Sequence, residues 1–335
     1  MRATASDVAR LAGVSVSTVS RALSAPHLLS SSTLQRVQHA AAQLGYLPNR
    51  AASGLVTGRT GNLALIIPDL NNPYFAGLTK QLQEQARLRG LNMFLADSDE
   101  DPRTELQILQ NLSTQVDGVL LCSPRAATED LLTAAGPTPM VVLNRSIPGI
   151  ASIVPDHHDG MRQGLQHLWA LGHRDIGYVE GPRNSWSNSA RLEGFTQAAA
   201  ELGVQGHRLG SFQPYFSGGV AAADLVFASD VSAVVVYNDV MALGILDRGQ
   251  RRRVLVPEQL SVVSFDDIPF ARSVTPHLSS ISTSREEMAR RALDELSAAE
   301  RDGHNQDAPR HLVGVDLIVR DSTGPREPAP TTSAT

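Results

Sequence analysis

From residue 61 onward, apolar runs of strand length alternate with longer amphipathic stretches, and few arrangements can bury such a chain. "NLALIIPD" precedes a helical stretch over 72–89, "LNMFLAD" precedes one over 102–115, and "DGVLLCS" and "PMVVLN" continue the rhythm. It resumes with "DIGYVEG", "SAVVVYN" and "LSVVSFDD". Near-continuous hydrophobic strands separated by helices indicate parallel sheets covered on both faces. More than eight such strands suit either one barrel or two open sheets. The polar residues decide between them: Asp69, Asp97, Asn144, Asn238 and Asp266 each fall just past the carboxyl end of a strand, where open sheets bind ligands. The expected core is therefore α/β, with two doubly wound parallel-sheet lobes.

The first sixty residues follow a different logic. In "SDVARLAGVSVSTVSRAL" a helical pattern breaks at Gly13 and Val14 and restarts at Ser15. Thr4, with Asp7 three residues on, forms the capping pair of a first helix whose inner stripe is Val8, Ala9, Leu11 and Ala12. Gly13 supplies the left-handed backbone that a tight turn requires, and Ala9 lets a crossing helix come close. Ser15 caps a second helix packed through Val19, Ala22 and Leu23. That leaves Val16, Ser17, Thr18 and Arg21 facing outward. Valine can meet a thymine methyl, serine can bond several base edges, and arginine forks onto guanine. "LSSSTLQRVQHAAAQLGYLPN" supplies a third helix, capped by Ser30 or a neighbouring serine, with Leu34, Val37, Ala40, Ala41 and Leu44 closing a three-helix core. Pro48 ends it. The segment "RAASGLVTG", which Asn49 can cap, is too short to hold a helix alone, with Gly54 costing about 1 kcal/mol relative to alanine, and needs a partner to form one.

Charge separates the two parts. Residues 1–60 carry six arginines against Asp7 alone, a net +5, while the remainder carries −10. A basic head on an acidic body indicates a polyanion-binding module joined to something else. "VTGRTGN" reads as a linker, and "GPREPAPTTSAT" as a tail with nothing apolar to bury. Cys122 is the only cysteine, which excludes an internal disulfide and a multi-cysteine metal site; it sits among strand residues as a small hydrophobe. "DHHDG", residues 156–160, lacks a further spaced ligand set, so no metal is expected. No apolar run approaches the ~20 residues of a membrane span, and no basic start with an apolar run opens the chain, so a cytoplasmic protein without membrane association is expected. No GxGxxG opens a helix, no phosphate-binding loop appears, and no nucleophile stands in an interpretable motif with a histidine and an acid. Neither an enzyme nor a cofactor is expected.

Taken in order, "DVARLAGVSVSTVSRAL", "LGYLPNRAASGL", "NPYFAGL", "DGVLLCSP", "HLWALGHRDIGYVEGP", "RLEGF", "YNDVMALG" and "LSVVSFDDI" resemble the lactose/galactose repressor (LacI/GalR) family of bacterial transcription regulators, over about residues 3–320. The resemblance implies an all-α helix-turn-helix headpiece (1–47), a hinge helix and linker (48–60), a periplasmic-binding-protein-like effector and dimerisation core (61–320) and a disordered tail (321–335). Lobe 1 would comprise about 61–155 and 284–312, and lobe 2 about 156–283 and 313–320. Val16, Ser17 and Arg21 fall on the family's base-reading positions, and Ala52 and Leu55 on hinge positions in the minor groove, where leucines of two subunits pry open a base step. Thr4, Thr18, Tyr46 and Asn49 complete the expected DNA face. The implied partners are a near-palindromic double-stranded DNA operator read by a homodimer, and a small-molecule effector, sugar-like or alternatively a purine or nucleoside.

For that effector, polar side chains at strand ends of two facing lobes, mixed with aromatics, make a cleft suited to a hydroxylated ligand. The family pattern puts Tyr74 and Phe75 on the first lobe and Phe212 on the second. Asn144, Arg145, Arg191, Asn238, Asp239 and Asp266 offer amides, guanidinium groups and carboxylates to adjacent hydroxyls. Trp186, in the loop before Arg191, is positioned to close over the ligand.

Overall fold

The structure, a computed structural model, describes residues 3–24, 26–46, 59–302 and 308–326. The chain divides into two units, Met1–Gly61 and Asn62–Thr335.

The smaller unit contains α1 (Ala5–Ala12), α2 (Val16–Ser24) and α3 (Ser31–Gln43). The Thr4–Asp7 capping box forms in both directions, and Gly13 takes the left-handed conformation at φ 64° that stops α1. Ser15 accepts the Thr18 N–H at 3.2 Å, and Ser30 caps α3. The core is Val8, Ala9, Ala12, Val19, Ala22, Val37 and Ala40, with Leu34, Ala41 and Tyr46 half-buried against it. Leu11, Leu23 and Leu44, expected inside, are exposed. Three short helices joined through alanines approach too closely to leave interior space for them, and so small a unit buries little of its surface.

In the larger unit, β1 (Asn62–Ile67), β2 (Asn92–Asp97), β3 (Gly118–Cys122), β4 (Met140–Leu143), β5 (Ser152–Pro155) and β11 (Arg310–Val313) form one sheet. Its order is β11-β5-β4-β3-β1-β2, parallel throughout. Helices α4 (Pro73–Leu88) and α11 (Arg285–Asp302) cover one face, and α5 (Pro102–Ser113) and α6 (Thr128–Ala135) the other. Alternation along β1 shows why both faces are apolar: Leu63, Leu65 and Ile67 pack toward α4, whereas Ala64 and Ile66 pack toward α5 and α6.

The second sheet contains β6 (Asp175–Glu180), β7 (Gln205–Ser211), β8 (Ala233–Val236), β9 (Ser261–Phe265), β10 (Ser279–Thr283) and β12 (Val315–Ile318). Its order is β12-β10-β9-β8-β6-β7, with only β12 antiparallel to its neighbour. Helices α7 (His157–Ala170) and α8 (Trp186–Leu202) pack on one face, and α9 (Phe216–Ala228) and α10 (Asp239–Arg252) on the other. The chain crosses between the lobes three times, after β5, β10 and β11. Among the described residues no helix is long and apolar enough to cross a membrane.

One expectation needs correction. Residues 321–326, assigned to a disordered tail, are fastened to the second lobe. Ser322 is fully buried, donates to the Val262 carbonyl at 2.6 Å and accepts the Ser279 N–H at 2.8 Å. His167 meets the Thr323 hydroxyl at 2.9 Å, and His173 meets the Gly324 carbonyl at 3.1 Å. A segment whose only apolar residue is Pro325 is held by hydrogen bonds that satisfy buried polar groups. Composition alone does not register that mechanism.

Candidate functional site

On the headpiece, Val16, Ser17 and Arg21 are exposed together on α2, with Thr18 half-buried. Ser15 ties the start of the helix down through its hydroxyl contacts with Ser17 and Thr18, both 2.8 Å. Val16 is 48% exposed, a large apolar side chain left in water at a helix start. Thr4 spends its hydroxyl on Asp7, and the half-buried Tyr46 packs on the headpiece core. The expected hinge residues Asn49, Ala52 and Leu55, with the hinge helix itself, lie outside the described residues.

In the larger unit, strand ends of both lobes enclose a cavity of about 30 Å³, room for about two water molecules. Six of the ten expected effector residues line it: Tyr74, Phe75, Asn144, Arg191, Asn238 and Asp266. The Tyr74 hydroxyl donates to the Asn144 side chain at 2.9 Å, and the Asn144 amide donates to the Ser123 hydroxyl at 3.0 Å. Asn238 caps α10 by accepting the Met241 N–H and also donates to the Pro214 carbonyl. Four lining residues, Glu100, Ser123, Asn144 and Asp266, have positive φ, between 50° and 108°. Such conformations cost energy and tend to collect at functional sites.

Arg191 gathers several contacts in the wall of this cavity. Its guanidinium lies 4.1 Å from the Phe265 ring centroid, donates to the Tyr237 carbonyl, and reaches His157 Nδ1 at 3.3 Å. His157 therefore accepts at Nδ1, in keeping with burial and the neighbouring Arg191 charge, which hold its pKa well below the ordinary range. Arg191 meets the Asp266 carboxylate only at 3.6 Å, with both side chains buried. That separation is too long for a good hydrogen bond, so both groups keep capacity for a ligand hydroxyl. Burial raises the Asp266 pKa to about 6 against the opposing pull of Arg191 and Arg285. Arg285 braces the same turn by donating to the Asp266 and Asp267 carbonyls.

The other four expected effector residues are not brought to the cavity. Arg145 turns away and donates to the carbonyls of Pro124 (3.1 Å) and Ala126 (2.6 Å) and to the Thr128 hydroxyl. Asp239 is fully buried beneath the cavity, where its carboxylate accepts from Ser264, Ser280 and the Ile268 N–H. Burial and repulsion from Asp266 raise its pKa to about 7. Trp186 packs against His157 and lies 5.5 Å from the Arg310 guanidinium. Phe212 lines a separate, wider cavity of about 650 Å³ together with Arg183 and Gln213.

Seven lining residues were not anticipated: Asn72, Glu100, Ser123, Arg125, Ser187, Pro214 and Tyr237. Arg125 is the most consequential. Its side chain forks onto Glu100 at 2.5 and 3.0 Å, with 3% and 11% of the two side chains exposed. Its turn is clamped from behind: the buried Glu105 carboxylate accepts the N–H groups of Arg125 and Ala126, while Arg145 binds the carbonyls of Pro124 and Ala126. The available sequence signal was position alone, since "CSPRA" and "DSDED" both follow strands of the first sheet. Among the described residues no group of His, Cys, Asp or Glu is arranged to hold a metal ion.

A helix-turn-helix unit joined to a two-lobed core with a polar cleft at its strand ends defines a DNA-binding regulator governed by a small molecule. Residues 4–49 match the bacterial regulatory proteins of the lacI family, and residues 165–323 match the periplasmic binding protein-like domain. The chain is 30% identical to the transcriptional repressor PurR of Haemophilus influenzae, across 96% of this chain and 98% of that one. The fold is similar to the Lac repressor dimer bound to operator and the anti-inducer ONPF, with TM-score 0.84 and 26% identity over 97% of this chain and 100% of that one. It is also similar to the regulator CelR in complex with cellobiose, with TM-score 0.71 and 29% identity over 96% and 100%. The protein belongs to the LacI family of bacterial regulatory proteins: it is a DNA-binding transcriptional regulator and not an enzyme.

Proposed function

We propose that this protein is a repressor that binds a near-palindromic operator as a homodimer, and that a sugar or sugar derivative in the cleft controls its grip. The observation that carries the ligand class is the Arg191–Asp266 pair, 3.6 Å apart over the Phe265 ring. A buried carboxylate and guanidinium with unspent hydrogen-bonding capacity suit adjacent hydroxyls, and the Tyr74, Phe75 and Tyr237 rings suit the apolar faces of a pyranose or furanose. The complex of CelR with cellobiose, a sugar, supports the same class. PurR, a repressor by name, supports the direction of regulation.

The volume of the cavity supplies the coupling. A monosaccharide does not fit in about 30 Å³, so its binding requires lobe separation or withdrawal of side chains. An effector that favours another lobe arrangement changes the spacing of the segments entering the core near residue 61, and hence of two headpieces in a dimer. By linkage, the effector and the operator alter one another's affinity by the same factor. The test is a thermal-shift screen of sugars, sugar phosphates and nucleosides on the full chain, followed by operator titration with each hit. A sugar that both raises the melting temperature and changes operator affinity is the expected result. Stabilisation by nucleosides alone would transfer the site to that class.

A further inference from the structure

We infer that Glu100 fixes the charge class of the effector: by neutralising Arg125 in the cavity wall, it restricts the cleft to uncharged polyhydroxylated ligands and excludes phosphorylated or acidic sugars. This inference rests on the sugar reading above. Two cations line the cavity, and each already faces a carboxylate. Arg125 has its Nε and one Nη committed to Glu100, and Arg191 faces Asp266 while also serving Tyr237 and His157. Arg145 points its guanidinium at the main-chain carbonyls of Pro124 and Ala126 behind this turn. Arg285 is not among the lining residues; one of its terminal nitrogens donates to the carbonyls of Asp266 and Asp267, and its buried Nε has no partner among the described residues.

A phosphate entering this space would find both lining guanidinium groups already facing a carboxylate, one from each lobe. Burying a charge without a partner is strongly unfavourable, and placing it against like charge excludes it further. The acidic strand ends extend the same field outward. Asp69 and Asp99 act with Glu100 on Tyr215 of the other lobe, and Asp97 acts on Asp69. A neutral polyol meets none of these penalties and can use every donor and acceptor left over. Glu100 thus works as a specificity-determining residue by occupying the fork that would otherwise receive an anion.

The experiment pairs D-glucose, D-galactose and D-ribose with their terminal phosphates and measures affinity for the full-length protein by calorimetry. The wild-type chain is expected to bind the neutral member of a pair at least tenfold more tightly. Glu100→Gln uncovers Arg125 and should move that ratio at least tenfold toward the phosphate, and adding Arg125→Met should cancel the gain. Should Glu100→Gln fail to fold, the wild-type ratio and the double variant decide. Equal or tighter binding of the phosphates by the wild type overturns the inference, as does a folded Glu100→Gln with an unchanged ratio; either leaves the sugar reading standing. If no member of either series binds, the sugar reading fails and the inference falls with it.

Discussion

The Ser187 hydroxyl donates to the main-chain carbonyl of Asn144 at 2.9 Å, joining the start of α8 in one lobe to the end of β4 in the other. Both residues are buried, and Asn144 holds a positive φ of 60° while its side chain accepts from Tyr74. One bond therefore spans the cleft and ends on the residue that organises the first-lobe wall. Ser187→Ala should destabilise the protein by about 1 kcal/mol, the usual net worth of a hydrogen bond. It should also make the lobes easier to part. Denaturant unfolding reads the first effect, and faster proteolysis of the cleft-spanning segments in the native protein reads the second. Unchanged values in both would mean that the bond does not hold the lobes.

The buried pair Asp239 and Asp266 predicts a pH dependence whose sign follows from burial. Both carboxyls have folded pKa values raised above the ordinary range near 3.8, to about 7 and about 6. The folded protein thus binds more protons than the unfolded chain between about pH 4 and 7, and stability falls as pH rises through that window. Asp239→Asn removes the higher of the two titrations, so the decline in melting temperature between pH 5 and pH 8 should become shallower. Asp239→Ala is a harsher change, because it leaves Ser264, Ser280 and the Ile268 N–H without their acceptor. It should cost about 3 kcal/mol or more.

How much of this was legible in the sequence depends on what each element buries. The central strands read clearly because both faces are covered: β1, β3, β4, β8 and β9 are almost wholly apolar or small. The strands that went unmarked are short, at sheet edges, or rich in serine. β7 and β11 are largely exposed edge strands and β12 is a four-residue edge, while β10 hides its polar character in bonds such as Ser280 to Asp239. The cleft followed the same division. Residues just past a strand end could be named, but which way each pointed could not. Arg145 and Arg125 show this best, since both follow strands of one sheet and only the clamp formed by Glu105 and Arg145 sends Arg125 inward.

The carboxyl-terminal segment makes a prediction of its own. Ser322 and Gly324 join β9, β10 and His173, and the Arg326 N–H donates to the Leu171 carbonyl at 2.8 Å. A chain ending at Arg320 loses all of these and leaves the Val262 carbonyl and the Ser279 N–H without their Ser322 partner, while the His173 ring keeps only Ser232 and Ser261. It should melt well below the full chain, by several kcal/mol of unfolding free energy at about 1 kcal/mol or more for each lost bond. A chain ending at Arg326 keeps every one of these contacts and should match the full-length protein. Differential scanning calorimetry on the three lengths distinguishes a structural strap from a dispensable end.

The last prediction separates DNA reading from effector sensing. Arg21 stands exposed on α2, one turn beyond the hydroxyls gathered at the helix start, and makes no ion pair within the described residues. An arginine forking onto guanine contributes about 1–3 kcal/mol of discrimination, and a dimer would use two. Arg21→Ala should therefore weaken the preference for an operator selected from random duplexes by roughly 2–6 kcal/mol, while effector affinity stays as in the wild type. Asp266→Ala should do the reverse, since its carboxylate lies in the cleft with Arg191 and its removal takes away an acceptor for ligand hydroxyls. Gel-shift titration against selected and scrambled duplexes, with calorimetry for the effector, measures both quantities on both variants. If each substitution damaged both activities equally in folded protein, the two units would not divide the work as their chemistry indicates.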